Sequence, residues 1–226
     1  LTSMGSKTPF SSVIIPVLDD YDSLDKCLRA LETQNYPRDR YEVIVVDNGS
    51  ADSTWQRVQS EEPVTIRQFC QPSYGSYAAR NLGIQKANGQ VLAFTDADCE
   101  PEPNWLQEGV CQIFANRGVG LLAGGIDITF AEPRNPSAVE LHCALFDFRQ
   151  QYNAEECTFG ATANVFTRPD VIDEVGPFEP TLHSGGDREW GGRVARGGFE
   201  VRYCDSARVR HPARRTLWED IRREIR

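Results

Sequence analysis

VLAFTDADCEP (residues 91–101) runs an apolar segment, Val91 to Phe94, into two carboxylates, Asp96 and Asp98, that are separated by one small residue. A strand rising through that segment delivers both acids at its carboxyl end, where open α/β sheets bind ligands. Two like charges held close need a counter-cation, a shared proton or ample water. Hard oxygen ligands two residues apart suit Mg²⁺ or Mn²⁺ bridging to a diphosphate. The same residues also read as a solvated turn bonded to its own backbone, so the surrounding chain has to decide.

Upstream, SSVIIP (11–16) is a short β-branched run halted by Pro16, and Leu24, Cys27, Leu28 and Leu31 then recur at helical spacing. YEVIVVD (41–47) is a second buried strand, followed by NGSADS and a helix beginning near Thr54. VTIRQF (64–69) leads through a Gly/Ser/Tyr loop to a helix over Ala78, Ala79, Leu82 and Ile84, closed by Asn88-Gly89. After VLAFTD, Asn104 is positioned to cap a helix carrying Leu106, Val110, Ile113 and Phe114. Alternating strands and helices predict an α/β fold whose parallel crossovers gather the loop acids on one edge, with Asp47 beside Asp96. The second half is less regular. VGLLAGGIDITF (119–130) reads as a strand with a Gly kink, and ANVFT (163–167) and FEVRYC (199–204) as short strands.

The chain has 226 residues, enough for one sizeable core. Its formal charge of -9 argues against a nucleic-acid partner, which needs clustered Lys and Arg. Seven scattered cysteines without a C-x-x-C pair read as reduced thiols of a cytoplasmic protein. No apolar run approaches the ~20 residues of a membrane span. Residues 1–9 read as an appended, disordered start, and 10–212 as one domain. Residues 213–226 read as a basic amphipathic helix, with Leu217, Ile221 and Ile225 on one stripe among Arg214, Arg215, Arg222, Arg223 and Arg226. Such a helix packs on its own domain or lies peripherally on the inner face of an anionic membrane.

Asp47, Arg80 in SYAARNLGI, Asp96/Asp98, HSGGDREWGGRV (183–194) and RVRHP (208–212) follow one another in an order that resembles family 2 glycosyltransferases. The resemblance spans almost the whole chain. It implies a GT-A fold, with a Rossmann-like, mixed but mostly parallel sheet flanked by helices, divided into a nucleotide-binding half (10–100) and an acceptor half (101–212). It also implies inverting transfer of a sugar from a nucleotide-diphosphate donor, most often a UDP-sugar, to a hydroxyl of a glycan, lipid-linked or small-molecule acceptor. In these terms Pro16, Leu18 and Asp47 sit at the nucleotide with Asp20, or its neighbour Asp19, beside Asp47, and the family's usual aromatic is replaced by Leu18. Arg80 faces the diphosphate, Asp96 reaches ribose or metal, and Asp98 with His211 holds Mn²⁺ or Mg²⁺.

Asp187 matches the family's base, which removes the acceptor proton as the hydroxyl attacks. Glu189 stays a rival for that role, and a helix N-cap is the structural alternative for Asp187. Gly124-Gly125 and GATANVF (160–166) resemble segments that admit the sugars, and Trp190 reads as a stacking platform or as core. A dehalogenase-type phosphatase would carry its D-x-D near the start of the domain, and a nucleotidyltransferase would carry a Gly-rich loop after strand one; neither pattern is present in this sequence. A non-catalytic nucleotide-sugar-binding module is the rival whose acids would be lost. A processive synthase fragment would carry Q-x-x-R-W, which this sequence lacks.

Overall fold

A computed structural model describes residues 8–51, 65–71 and 75–216. The parallel part of its sheet is built on β1 (Ser11–Val17), flanked by β2 (Tyr41–Asp47) and β4 (Val91–Thr95), with β3 (Ile66–Cys70) outside β2. β1, β2 and β4 are buried on both faces, which is why they read as near-continuous apolar runs. The sheet continues through β5 (Glu100–Pro101), β6 (Val119–Thr129), β7 (Asn164–Thr167) and β8 (Glu200–Pro212), in the order β3-β2-β1-β4-β7-β6-β8-β5. β7 lies antiparallel between β4 and β6, β8 runs parallel to β6, and β5 is antiparallel to β8.

Strand alternation divides the core in two. Val13, Ile15, Val43, Val45, Val91 and Ala93 face α1 (Tyr21–Glu32), whose helical spacing supplies Leu24, Cys27 and Leu31. The helix following Asn104, Trp105–Ala115, joins that layer through Trp105, Leu106, Val110 and Ile113. Ile14, Ile44, Val46, Leu92 and Phe94 face the opposite layer, built by the helices Ser76–Lys86, Pro169–Val175 and Gly186–Arg196. In chain order the helices are therefore α1, α2 (Ser76–Lys86), α3 (Trp105–Ala115), α4 (Ala138–Phe146), α5 (Gln150–Cys157), α6 (Pro169–Val175) and α7 (Gly186–Arg196) among the described residues. None is long and apolar enough to cross a membrane.

Several expectations change. β1 continues through Pro16 to Val17, because β4 pairs only with Ser11–Ile14 and leaves that side of Pro16 without a ladder to break. Asp47 and Asp96 share an edge but are not neighbours, since β1 lies between their strands and sets them roughly 10 Å apart. α2 ends at Lys86, with Ala87 as its C-cap, before Asn88-Gly89. Asn104 does not cap α3 with its side chain; it accepts a bond from Asn35, and Gln34 Oε1 accepts from the Leu106 N–H instead. The strand expected to stop at Cys204 runs on to Pro212 past a bulge, where the β6–β8 register jumps between Gly124/Cys204 and Gly125/Arg208. The helix near Thr54, the loop at 72–74, most of the leading segment 1–9 and the tail from Leu217 lie outside the described residues.

Asn164 fastens the bulge. Its amide donates to the carbonyls of Gly125 and Ala207 (2.7 and 2.8 Å), and its oxygen accepts from Trp105 Nε1 (2.8 Å). A Cβ on Gly124 would lie 2.3 Å from the Asn164 amide, so glycine there allows the close approach. Asn164→Ala leaves three polar groups unsatisfied in the interior, at a cost of about 3 kcal/mol or more. We expect a melting temperature lower by about 6–12 °C in calorimetry.

Glu42 is the buried anchor at the other end of β2. Burial pushes its pKa up, but bonds from Arg67, the Asn88 N–H and Ser12 Oγ outweigh this and leave it below the ordinary value of 4.5. A carboxylate depressed in the folded state stabilises fully above its unfolded pKa. That stability is expected to fade as pH falls from about 5 through the folded pKa, and Glu42→Gln should flatten the acid limb of a stability-versus-pH curve.

Candidate active site

β4 ends at Thr95, and the next residues present the carboxylates of Asp96 and Asp98 to an open cleft of about 1000 Å³. β5 begins two residues after Asp98 and pairs with β8, Glu100 opposite Arg210. That register brings His211 alongside Asp98, with Nε2 3.5 Å from Oδ2. The other imidazole nitrogen, Nδ1, lies 2.8 Å from the Pro212 carbonyl. With Nδ1 as the donor, Nε2 keeps its lone pair toward Asp98, the tautomer a metal ligand requires. The Phe148 ring packs 4.4 Å from that of His211, from a left-handed backbone position (φ 48°) rare for so bulky a residue.

Three carboxylates, Asp20, Asp96 and Asp98, line this wall. Burial raises the Asp98 pKa; His211 opposes the rise, and Asp96 and Asp20 add to it. Asp96 is neutralised by Arg80, whose side chain is only 4% exposed and stacks over Tyr77. Arg80 Nε is buried without a hydrogen-bond partner. Asp20 N-caps α1 by accepting from the Ser23 N–H. Among the described residues, Asp98, Cys99 and His211 bring ligand atoms within 4.8 Å of one another. Oxygen and imidazole donors beside surplus negative charge fit a divalent cation such as Mn²⁺, with the buried Cys99 thiol engaged on the Ala163 carbonyl.

The facing wall is the first turn of α7. Gly185 caps that helix in the left-handed region (φ 75°), so Asp187 is not the N-cap and its carboxylate is left for the cleft. Thr162 holds it at two points, with Oγ1 donating to Oδ1 (3.0 Å) and the backbone N–H donating to Oδ2 (3.4 Å). The Asp187 N–H in turn donates to the Tyr77 hydroxyl oxygen (3.3 Å). Burial raises the Asp187 pKa, and Arg80 and Thr162 restrain the rise.

The cleft therefore unites Asp20, Arg80, Asp96, Asp98, His211 and Asp187. Glu189 turns away to a two-point ion pair with Arg193 (2.8 Å each) and does not line it. Pro16 and Leu18 lie within and just beyond β1, and Asp47 is buried with Oδ1 accepting from the Ser50 N–H. Trp190 is core, packed on Phe178 and donating to the Gly176 carbonyl. Gly124-Gly125 serves the β6–β8 bulge, while Ala161–Ala163 of GATANVF does border the cleft.

A family model, Glycosyl transferase family 2, matches residues 12–176. The chain belongs to glycosyl transferase family 2. This family-2 glycosyltransferase is 38% identical over 217 residues to Glycosyltransferase AglE of Haloferax volcanii, covering 93% of the chain and 69% of that relative. It is 31% identical over 224 residues to the pre-mycofactocin glycosyltransferase of Mycobacterium tuberculosis, covering 94% of the chain and 45% of that relative. Its fold is that of GT-A glycosyltransferases. Mannosyltransferase PcManGT from Pyrobaculum calidifontis, solved with GDP-Man and Mn²⁺, superposes with a TM-score of 0.75 at 19% identity over 97% of this chain and 61% of that one. S. aureus TarS 1-349 with UDP-GlcNAc gives 0.72 at 18% identity, over 92% and 59%.

Thr162 and Tyr77 escaped the motif reading. Neither has a titratable signature at neutral pH, and each acts only through where the sheet and α2 place it beside Asp187. Removing the Thr162 hydroxyl takes a bond from the charged form of Asp187. Thr162→Val should move the Asp187 titration midpoint up in carboxyl-carbon NMR, and an unchanged midpoint would show that the hydroxyl does not hold the charged form.

Proposed function

We propose that the chain transfers a sugar from a nucleotide-diphosphate sugar, a UDP-sugar by default, to an acceptor hydroxyl in a single displacement with inversion. The observation that carries this reading is the pairing of Asp98/His211 on one wall with Asp187 on the other wall of one cleft. Neighbours of the same fold solved with GDP-Man and Mn²⁺ or with UDP-GlcNAc support a nucleotide-sugar donor and a divalent metal.

Asp98 and His211 would hold the cation. When bound, it neutralises charge that builds on the departing diphosphate. Arg80, fixed by Asp96 and with one buried N–H unpaired, contributes a second positive group on that side. Asp187 accepts the proton of the acceptor hydroxyl as it attacks the anomeric carbon. Its burial helps: a raised pKa makes the carboxylate a stronger base, and Thr162 keeps one oxygen aimed while the reaction runs. One base and one displacement suffice, so no covalent sugar intermediate is needed.

Calorimetric titration with UDP, GDP and their sugar conjugates, with Mn²⁺ and with chelator, tests the donor side. Asp98→Asn is expected to remove metal-dependent nucleotide binding. Asp187→Asn is expected to keep that binding and lower transfer at least 10²-fold, the low end of general-base contributions. Equal loss of binding in both variants would assign Asp187 a structural role instead.

A further inference from the structure

Among the described residues the His211 side chain has one hydrogen-bond contact, between Nδ1 and the carbonyl of the next residue, Pro212 (2.8 Å), while Nε2 stands 3.5 Å from Asp98. A single bond of this kind is a pivot. It selects the tautomer and leaves the plane of the ring to be set by whatever packs on its face.

What packs there is Phe148, with ring centroids 4.4 Å apart and planes tilted by 44°. Phe148 occupies the left-handed region (φ 48°), and it is the only aromatic residue among the described residues with a positive φ. A bulky residue adopts that region when its surroundings enforce it, and enforced conformations of this kind collect at functional positions. The enforcement is visible on both sides. On one side Asp147 accepts from Arg214 Nη1 (2.8 Å), with both side chains largely buried. Arg214 lies three residues beyond His211, so this ion pair ties Asp147 to the segment that carries the imidazole. On the other side Gln150 Oε1 accepts from the Ala161 N–H (2.7 Å), and Gln150 Nε2 donates to the Asn164 carbonyl (2.9 Å). The Gln150 N–H closes back on the Phe148 carbonyl (2.7 Å). Phe148 also touches the core layer of α1, but filling that space does not by itself require a left-handed backbone.

We infer that residues 147–150 form a clamp in which Phe148 is the positioning residue for His211, fixing the plane of the imidazole so that Nε2 faces Asp98. The inference rests on the cation reading above and deepens it: the metal site is braced from the segment between β6 and β7, not by its own strand alone. Removing a group that orients a metal ligand typically costs about 10–100-fold in affinity.

The test uses the full chain and its variants Phe148→Ala, Phe148→Tyr and Asp147→Ala. Mn²⁺ affinity is read by electron paramagnetic resonance with UDP present. The imidazole nitrogen spectrum is read on the metal-free chain at alkaline pH, where the ring is neutral. The chain has three histidines, so His211→Gln suffices to assign the signals of His211. We expect one tautomer in the wild type, with the proton on Nδ1. Phe148→Ala lets the ring leave the Pro212 carbonyl, mixes the tautomers and weakens Mn²⁺ binding about tenfold. Phe148→Tyr restores the ring and returns both readouts to their wild-type values. Asp147→Ala keeps Phe148 but removes its anchor, and mixes the tautomers as well. A lower melting temperature in Phe148→Ala with imidazole signals and Mn²⁺ affinity unchanged would make Phe148 a core filler and overturn the inference. A Phe148→Tyr chain that behaves like Phe148→Ala also overturns it. If the wild type binds no Mn²⁺, the cation reading fails by itself, and the imidazole signals still decide whether Phe148 positions His211.

Discussion

Three carboxylates, Asp20, Asp96 and Asp98, converge where β4 leaves the sheet, and the buried Arg80 answers one of them, Asp96. Much of the site can be understood as management of that charge. Arg80 is buried by α2 so that it meets Asp96, Asp20 spends an oxygen on the first turn of α1, and Asp98 is left facing His211. Holding like charges together is costly, and a cation at the proposed site would relieve that cost. The chemistry assigned to the cleft is thus built on an electrostatic imbalance that the fold maintains.

The sheet keeps the two walls of the cleft in register. His211 reaches Asp98 only because β8 passes a bulge and pairs with β5, and the bulge is fastened by Asn164. Thr162, which aims Asp187, stands two residues before Asn164 in the turn that enters β7. One polar side chain in the interior therefore ties the placement of the proposed base to that of the proposed cation ligands. Trp105 shares the same knot, so α3 is held to it as well.

Much of this was legible in the residues. β1, β2 and β4 announce themselves because strands buried on both faces must be apolar throughout, and the carboxylates at their ends follow from the geometry of parallel crossovers. Asp98, Arg80, Asp187 and His211 were recognisable as an ordered set, and the structure brings all four to one cavity. What escaped depends on contacts distant in sequence. The strand order places β1 between Asp47 and Asp96, a fact no local pattern carries. Arg193 captures Glu189 across one helical turn and so removes it from the cleft. Gln34 replaces Asn104 as the side-chain cap of α3 from the loop that follows α1. Trp190, set among glycines, looked available to a ligand until Phe178 and the Gly176 carbonyl were seen to enclose it.

The route of the chain between β6 and β7 has a broader consequence. There the backbone leaves the sheet, builds α4 and α5, and returns antiparallel beside β4. Asp98, His211, Arg80 and Asp187 sit outside this excursion, on strand ends, on α2 and on the first turn of α7, whereas Phe148 and Thr162, which contact His211 and Asp187, lie inside it. Substitutions on the exposed faces of α4 and α5 leave these groups untouched, whereas changes at Phe148, Gln150 or Thr162 reach His211, Asn164 or Asp187 directly. One segment thus does two things at once: its outer faces border the cleft mouth, and its inner residues brace the walls.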